Sequence, residues 1–111
     1  MIETALVQQI RLALGRIPGI VLFRNNVGAC TDKSGRLVRY GICNPGGADL
    51  IGWVVRELES VPYAIFLAIE VKTPIRKLTD EQHAFLRAVS RAGGIAGVAR
   101  SVGDALKLVG R

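Results

Sequence analysis

Glu70 and Lys72 close an apolar run, A-I-F-L-A-I-E-V-K, over residues 64–72. The run predicts a buried strand, on which alternate side chains share a face, so Glu70 and Lys72 point the same way. Charges at the end of a buried strand need a partner or a task. They could pair with each other as a salt bridge at the strand end. They could also meet Asp49, which opens the preceding strand-like run, D-L-I-G-W-V-V-R. If the two runs form an antiparallel hairpin around residues 57–62, with Arg56 paired to Tyr63, then Asp49 lies directly opposite Glu70. Such pairs have Cβ atoms about 4.5–5.5 Å apart, and a slip of one residue would turn Asp49 to the other face. Two carboxylates this close repel unless a proton or cation lies between them. A divalent ion that prefers oxygen suits the pair, and Mg²⁺ commonly takes one or two carboxylates while keeping several waters. An ion held there acidifies water and polarises a phosphoryl oxygen. A lysine beside it offsets charge building on the phosphate. The chemistry this points to is hydrolysis of a phosphate ester. Gly46 and Gly47, just before Asp49, let backbone approach without side-chain obstruction.

The elements that must position these residues can be read in order. Leu6, Val7, Ile10, Ala13, Leu14 and Ile17 follow helical spacing and predict a first helix over residues 2–15. Glu3 lies on that apolar stripe; it either complements the helix dipole at an exposed N-terminus or leans over the core toward a metal. Residues 20–26 read as a strand ending in Arg24-Asn25-Asn26. The two amides could form a turn or face a phosphate backbone. Thr31-Asp32-Lys33-Ser34-Gly35 is turn chemistry, and with a short strand over residues 36–42 it predicts a polar hairpin carrying Lys33, Arg36 and Arg39. Asn44-Pro45-Gly46-Gly47 breaks the chain. The hairpin strands follow, over residues 49–56 and 63–72, with Trp53 and Phe66 on one face as core. Thr79 and Gln82 form a capping box for a helix to about residue 92, with Phe85, Leu86 and Val89 inward. A short strand over residues 95–100 and a last helix capped by Ser101 complete the chain. The expected order is helix, strands, helix, strand, helix, in one α/β domain over residues 1–111.

Composition bounds the partners. The chain has 111 residues, half of them hydrophobic, which is enough for one core. No apolar stretch is long enough to span a bilayer. The N-terminus lacks the basic region of an export signal, so Cys30 and Cys43 are expected as reduced thiols. With no C-x-x-C and one histidine, His83, a zinc site is not expected. Fifteen Lys and Arg against nine Asp and Glu give a net charge of +6. Arginine predominates, which suits a polyanion partner such as nucleic acid, although surface charge also serves solubility.

Glu3 in the first helix, R-N-N-V-G-A over residues 24–29, G-G-A-D over residues 46–49, E-V-K over residues 70–72 and Gln82 opening a helix occur in an order that resembles the PD-(D/E)xK nuclease superfamily. Within it the chain resembles the virus-type replication-repair nuclease (VRR-NUC) family over nearly its whole length. Ala48 stands where the superfamily motif has proline. The resemblance implies a restriction-endonuclease-like core around a small mixed sheet. It implies that Asp49 and Glu70 bind Mg²⁺ or Mn²⁺ with the main-chain carbonyl of Val71, that Glu3 adds a contact to the metal, that Lys72 is the catalytic lysine and that Gln82 supports the site. Arg24, Asn25, Asn26, Lys33, Arg36 and Arg39 would contact DNA. Stand-alone members of this size resemble phage or bacterial homodimers that resolve Holliday junctions or related branched DNA, which implies a cytoplasmic setting in a bacterial or phage-infected cell and no membrane partner. A nicking or restriction-like nuclease on other DNA, and a DNA-binding module without catalysis, are the competing expectations.

Overall fold

A computed structural model describes residues 2–111. Helix α1 (Glu3–Gly15) buries Leu6, Val7, Ile10 and Leu14, the apolar stripe of the sequence. Ile10 and Leu14 are fully enclosed, and each such side chain contributes about 1.5–3 kcal/mol relative to exposure. Strand β1 (Ile20–Arg24) follows, then a two-stranded unit of β2 (Gly28–Thr31) and β3 (Leu37–Tyr40). Strands β4 (Leu50–Leu58) and β5 (Val61–Val71) form a long hairpin. Helix α2 (Asp80–Arg91), strand β6 (Ile95–Ala99) and helix α3 (Val102–Leu108) end the chain.

The main sheet has the order β1-β4-β5-β6, antiparallel except for the parallel β5–β6 pair. It is therefore a small mixed sheet of the kind a restriction-endonuclease-like core requires. Leu50, Val54, Leu67, Ile69 and Val71 meet α1 and α3 on one face. Ile51 and Ala68 meet Leu86 and Val89 of α2 on the other. Because β5 is covered on both faces over its second half, it reads as an unbroken apolar run there. No described helix is long and apolar enough to cross a membrane.

The hairpin strands extend further than the sequence suggests. Only Glu59 and Ser60 lie between them, both at positive φ (51° and 67°), which is the backbone of a tight two-residue hairpin turn. Glu-Ser lacks the usual Asn-Gly or Asp-Gly signal, so the connection reads as longer from sequence. A second correction concerns Trp53 and Phe66. They do pair across β4 and β5, but α2 covers only the β5–β6 side of their face. Trp53 is 40% and Phe66 44% exposed, beside exposed Val21, Phe23 and Val55. This leaves an uncovered apolar surface on the β1–β4 half of the sheet.

Gly52 sits in β4 between Leu22 and Leu67. A Cβ there would overlap the carbonyl oxygen of Val21, which is backbone and cannot rotate away. Gly52→Ala is expected to destabilise the fold by about 1–3 kcal/mol, the usual cost of overpacking, seen as a lower urea midpoint at unchanged m-value.

Candidate active site

The hairpin pairs Arg56 with Tyr63 and Leu50 with Ile69. Asp49 is thus the next residue along β4, facing Glu70, as the assumed register requires. One carboxylate oxygen of Asp49, Oδ2, accepts a hydrogen bond from the Val71 backbone N–H at 2.9 Å. The Asp49 carbonyl accepts from the Asn25 backbone N–H at 2.7 Å. Both ends of Asp49 are therefore tied down, its side chain to β5 and its backbone to the end of β1.

Glu70 is 2% exposed, and its Oε2 is buried without a hydrogen-bond partner. An unpartnered buried oxygen facing a second carboxylate is costly. Burial first, then a hydrogen bond to Asp49 and the charge of Asp49, push the Glu70 pKa up to about 9; Lys72 works against the shift, and Glu3 adds to it. Lys72 is 5% exposed. It forms no ion pair with Glu70: the ion pair found among the described residues is Arg76 with Glu3, at 3.5 Å. The strand-end salt bridge that could have explained E-x-K is therefore absent among those residues. An orphaned carboxylate oxygen, a second carboxylate facing it and an unpaired buried lysine form a donor set that fits a divalent cation and an anionic substrate.

Glu3 lies at the edge of the cluster, where its charge reaches Glu70. Its carboxylate accepts from the Thr73 N–H at 3.4 Å and pairs with Arg76, and no three His, Cys, Asp or Glu side chains gather as a metal-binding group among the described residues. Glu3 thus tethers the loop after Lys72. Gln82 and Thr79 complete a capping box, with the Gln82 Oε1 accepting from the Thr79 N–H and the Thr79 Oγ1 accepting from the Gln82 N–H. Gly46, at φ 100°, rests against the first turn of α2, where a Cβ would run into the Glu81 carbonyl. The Gly-Gly pair thus brings the Asp49 loop against the helix that carries Gln82.

Asn25 is also corrected. It is 7% exposed. Its amide nitrogen donates to the carbonyls of Ile42 and Ala48, both at 3.0 Å, and its Oδ1 accepts from the Ile42 N–H at 2.9 Å. Both amide protons are used inside the protein, so the side chain has none to offer DNA. It instead joins the end of β1, the root of the β2–β3 unit and the residue before Asp49. Gly47 is required at this crossing, since a Cβ would overlap the Ile42 carbonyl and crowd the Asn25 amide. Paired Asn residues in sequence carry no sign of which one turns inward.

Arg24 and Asn26 are exposed, and with Tyr40 and Asp49 they line a cavity of about 450 Å³. Lys33, Arg36 and Arg39 are exposed on the β2–β3 unit. Its turn is held by Asp32, whose Oδ1 accepts from the Ser34 N–H and Oγ and from the Arg36 N–H. The structure thus places five of the six cations and amides on the surface and Asn25 in the interior.

An acid just before one strand of a mixed sheet and E-x-K at the end of its antiparallel neighbour match the arrangement expected of a PD-(D/E)xK-type nuclease. The model of the VRR-NUC domain family matches residues 33–103, and the chain belongs to that family. The match takes in Asp49, Glu70, Lys72 and Gln82, and leaves out Glu3 and the R-N-N-V-G-A segment. No curated protein and no solved structure matches the chain significantly. PD-(D/E)xK-type domains generally use divalent metals, and a nuclease domain implies DNA as substrate.

The raised Glu70 pKa has a stability consequence in the absence of metal. The folded state holds this proton more tightly than the unfolded chain, whose ordinary value is 4.5, so the contribution is full below that value and is lost as pH rises toward about 9. With chelator present, the melting temperature of the native chain is expected to fall relative to Glu70→Gln as pH is raised through this window. Parallel curves for the two proteins would rule out a buried, protonated Glu70.

Proposed function

We propose that this protein is a divalent-metal-dependent DNA endonuclease that hydrolyses phosphodiester bonds in branched DNA, with Holliday junctions as the prime substrate, and that it acts as a homodimer. The observation that carries the reading is the juxtaposition of Asp49 and Glu70 at the end of one hairpin, with an orphaned Glu70 oxygen and an unpaired, buried Lys72 beside them. In this reading Asp49, Glu70 and the Val71 carbonyl would hold Mg²⁺ or Mn²⁺. When bound, such an ion acidifies water and polarises a phosphoryl oxygen.

The chain's own residues do the rest. The Val71 N–H keeps the Asp49 carboxylate aimed across the hairpin. Glu70 holds its proton to a higher pH than an ordinary carboxylate while no cation is present, and a bound cation would favour its ionised form, with the proton released to solvent. Lys72 would offset, through its ammonium group, the negative charge that builds on the scissile phosphate, and would orient the attacking water. Burial of Lys72 strengthens this interaction, because water screens it less. Gln82 already spends its side-chain oxygen on the cap, leaving its amide protons for a phosphate oxygen. Arg24, Asn26 and the cations of the β2–β3 unit supply sequence-independent contacts to the DNA backbone.

The homodimer rests on two supports. A two-fold branched substrate cut at two symmetric points needs two sites. The uncovered face of Val21, Phe23, Trp53, Val55 and Phe66 is the kind of apolar patch that marks an interaction surface. Such an enzyme would act in the cytoplasm of a bacterial or phage-infected cell.

Incubation with a labelled four-way junction and with linear duplex, with Mg²⁺ or with EDTA, tests the reading. Junction cleavage that EDTA abolishes is expected. Binding without cleavage in either Mg²⁺ or Mn²⁺ would reduce the protein to a binding module, and equal cutting of both substrates would remove the structural selectivity. Lys72→Ala is expected to lose cleavage by at least about a hundredfold, within the range for loss of an electrostatic stabiliser, while junction binding by gel shift stays nearly intact. Glu70→Ala should abolish the metal-binding heat in titration calorimetry. For the dimer, light scattering should give twice the 11.9 kDa chain mass, and Trp53→Glu should return it to the monomer value.

A further inference from the structure

Immediately after Lys72 the chain makes a β-turn, Thr73-Pro74-Ile75-Arg76, closed by the Arg76 N–H donating to the Thr73 carbonyl at 3.1 Å. Proline suits the second position of such a turn, and the third normally takes a polar residue or glycine. Here that position holds Ile75, which is 92% exposed, the highest value among the exposed large hydrophobic residues. A single exposed apolar residue on a mobile loop would need no explanation. This turn is instead braced from several directions. The Arg100 Nη1 donates to the carbonyls of Thr73 at 2.8 Å and Arg76 at 2.6 Å, with that of Pro74 at 3.5 Å. The Arg100 backbone N–H is in turn held by Asp104 at 2.9 Å. Glu3 accepts from the Thr73 N–H and pairs with Arg76. Hydrogen bonds from α1 and from the β6–α3 junction thus fix both ends of a turn whose tip presents an isoleucine to solvent.

The flanks say what the tip meets. Arg76 and Lys77 are exposed directly beside it, which fits contact with phosphates rather than with an apolar protein surface. Ile75 is three residues from Lys72, so its Cα lies at most about 11 Å from that of Lys72, or roughly three base steps of DNA. Rigid apolar side chains flanked by cations are what proteins insert between base pairs to unstack them. We propose that Ile75 is a wedge that enters the stack of DNA beside the scissile phosphate, unstacks one base step, and thereby favours substrates whose stacking is already interrupted at a branch. This rests on the nuclease reading above and adds to it the residue that selects among DNA structures.

The test uses Lys72→Ala protein, so that the DNA stays intact, and four-way junctions carrying 2-aminopurine at successive positions next to the branch point. Binding is expected to raise 2-aminopurine fluorescence at one or two of these positions. Adding Ile75→Ala should abolish the rise, and Ile75→Leu should restore it. The melting temperature should not change, because the side chain is exposed. In the otherwise native chain, Ile75→Ala should lower kcat/KM on the junction by about tenfold, as expected when unstacking is no longer assisted, and change cutting of a flexible nicked substrate far less. Fluorescence that rises equally with Ile75→Ala, or no rise at any position with a protein that binds and cleaves junctions, would overturn the wedge and leave the nuclease reading standing. Failure to bind or cut any DNA would overturn both. A change in light-scattering mass on Ile75→Ala without DNA would assign the tip to a protein contact and also overturn the wedge.

Discussion

The hydrogen bond from the Val71 N–H to the Asp49 Oδ2 joins the two carboxylate-bearing strands where their ladder ends. It depends on the register that pairs Arg56 with Tyr63 and Leu50 with Ile69. A slip by one residue would put Asp49 on the opposite face from Glu70, and it would also turn the apolar residues of β4 away from α1 and α3. The core and the site therefore share one register, and burial of Leu50, Val54, Leu67 and Ile69 holds the two acids within reach of each other, where Glu70 keeps its proton to a higher pH than usual.

The same arrangement explains why the neighbourhood is so heavily tied. Two acids face each other there, with one Glu70 oxygen buried and unpartnered, so the segments that carry them must be held in place. Asn25 does this on one side by linking β1, Ile42 and Ala48. Gly46 and Gly47 let these segments pack within backbone distance. On the other side, Glu3 and Arg100 hold the loop after Lys72. Asn25, whose amide could have faced a phosphate backbone, here keeps the frame stiff, as the groups around a site must if it is to hold its geometry.

Much of the fold was legible. The helical stripe of α1, the Thr79–Gln82 capping box and the apolar runs of β4 and β5 are local signals, because periodicity and capping depend on neighbours a few residues away. The pairing of Asp49 with Glu70 was legible too, once a register was assumed. The strand ends near Glu59 and Ser60 were not, since neither residue announces positive φ. Trp53 and Phe66 looked like core because alternation gives a face but does not say whether a helix covers it.

The residue types, their order and the faces on which Glu70 and Lys72 lie are local properties of the chain, because the alternation of a strand belongs to the backbone. Which polar groups remain free to act is set by packing. Asn25 and Asn26 are equivalent in sequence, yet packing turns one inward and leaves the other at the surface. Glu3, remote in sequence, is bound to the loop after Lys72. Lys72, a candidate from the sequence, has no ion-pair partner among the described residues. Whether a polar group is satisfied depends on atoms far apart in the chain, so three-dimensional packing alone separates the braces from the groups left for chemistry.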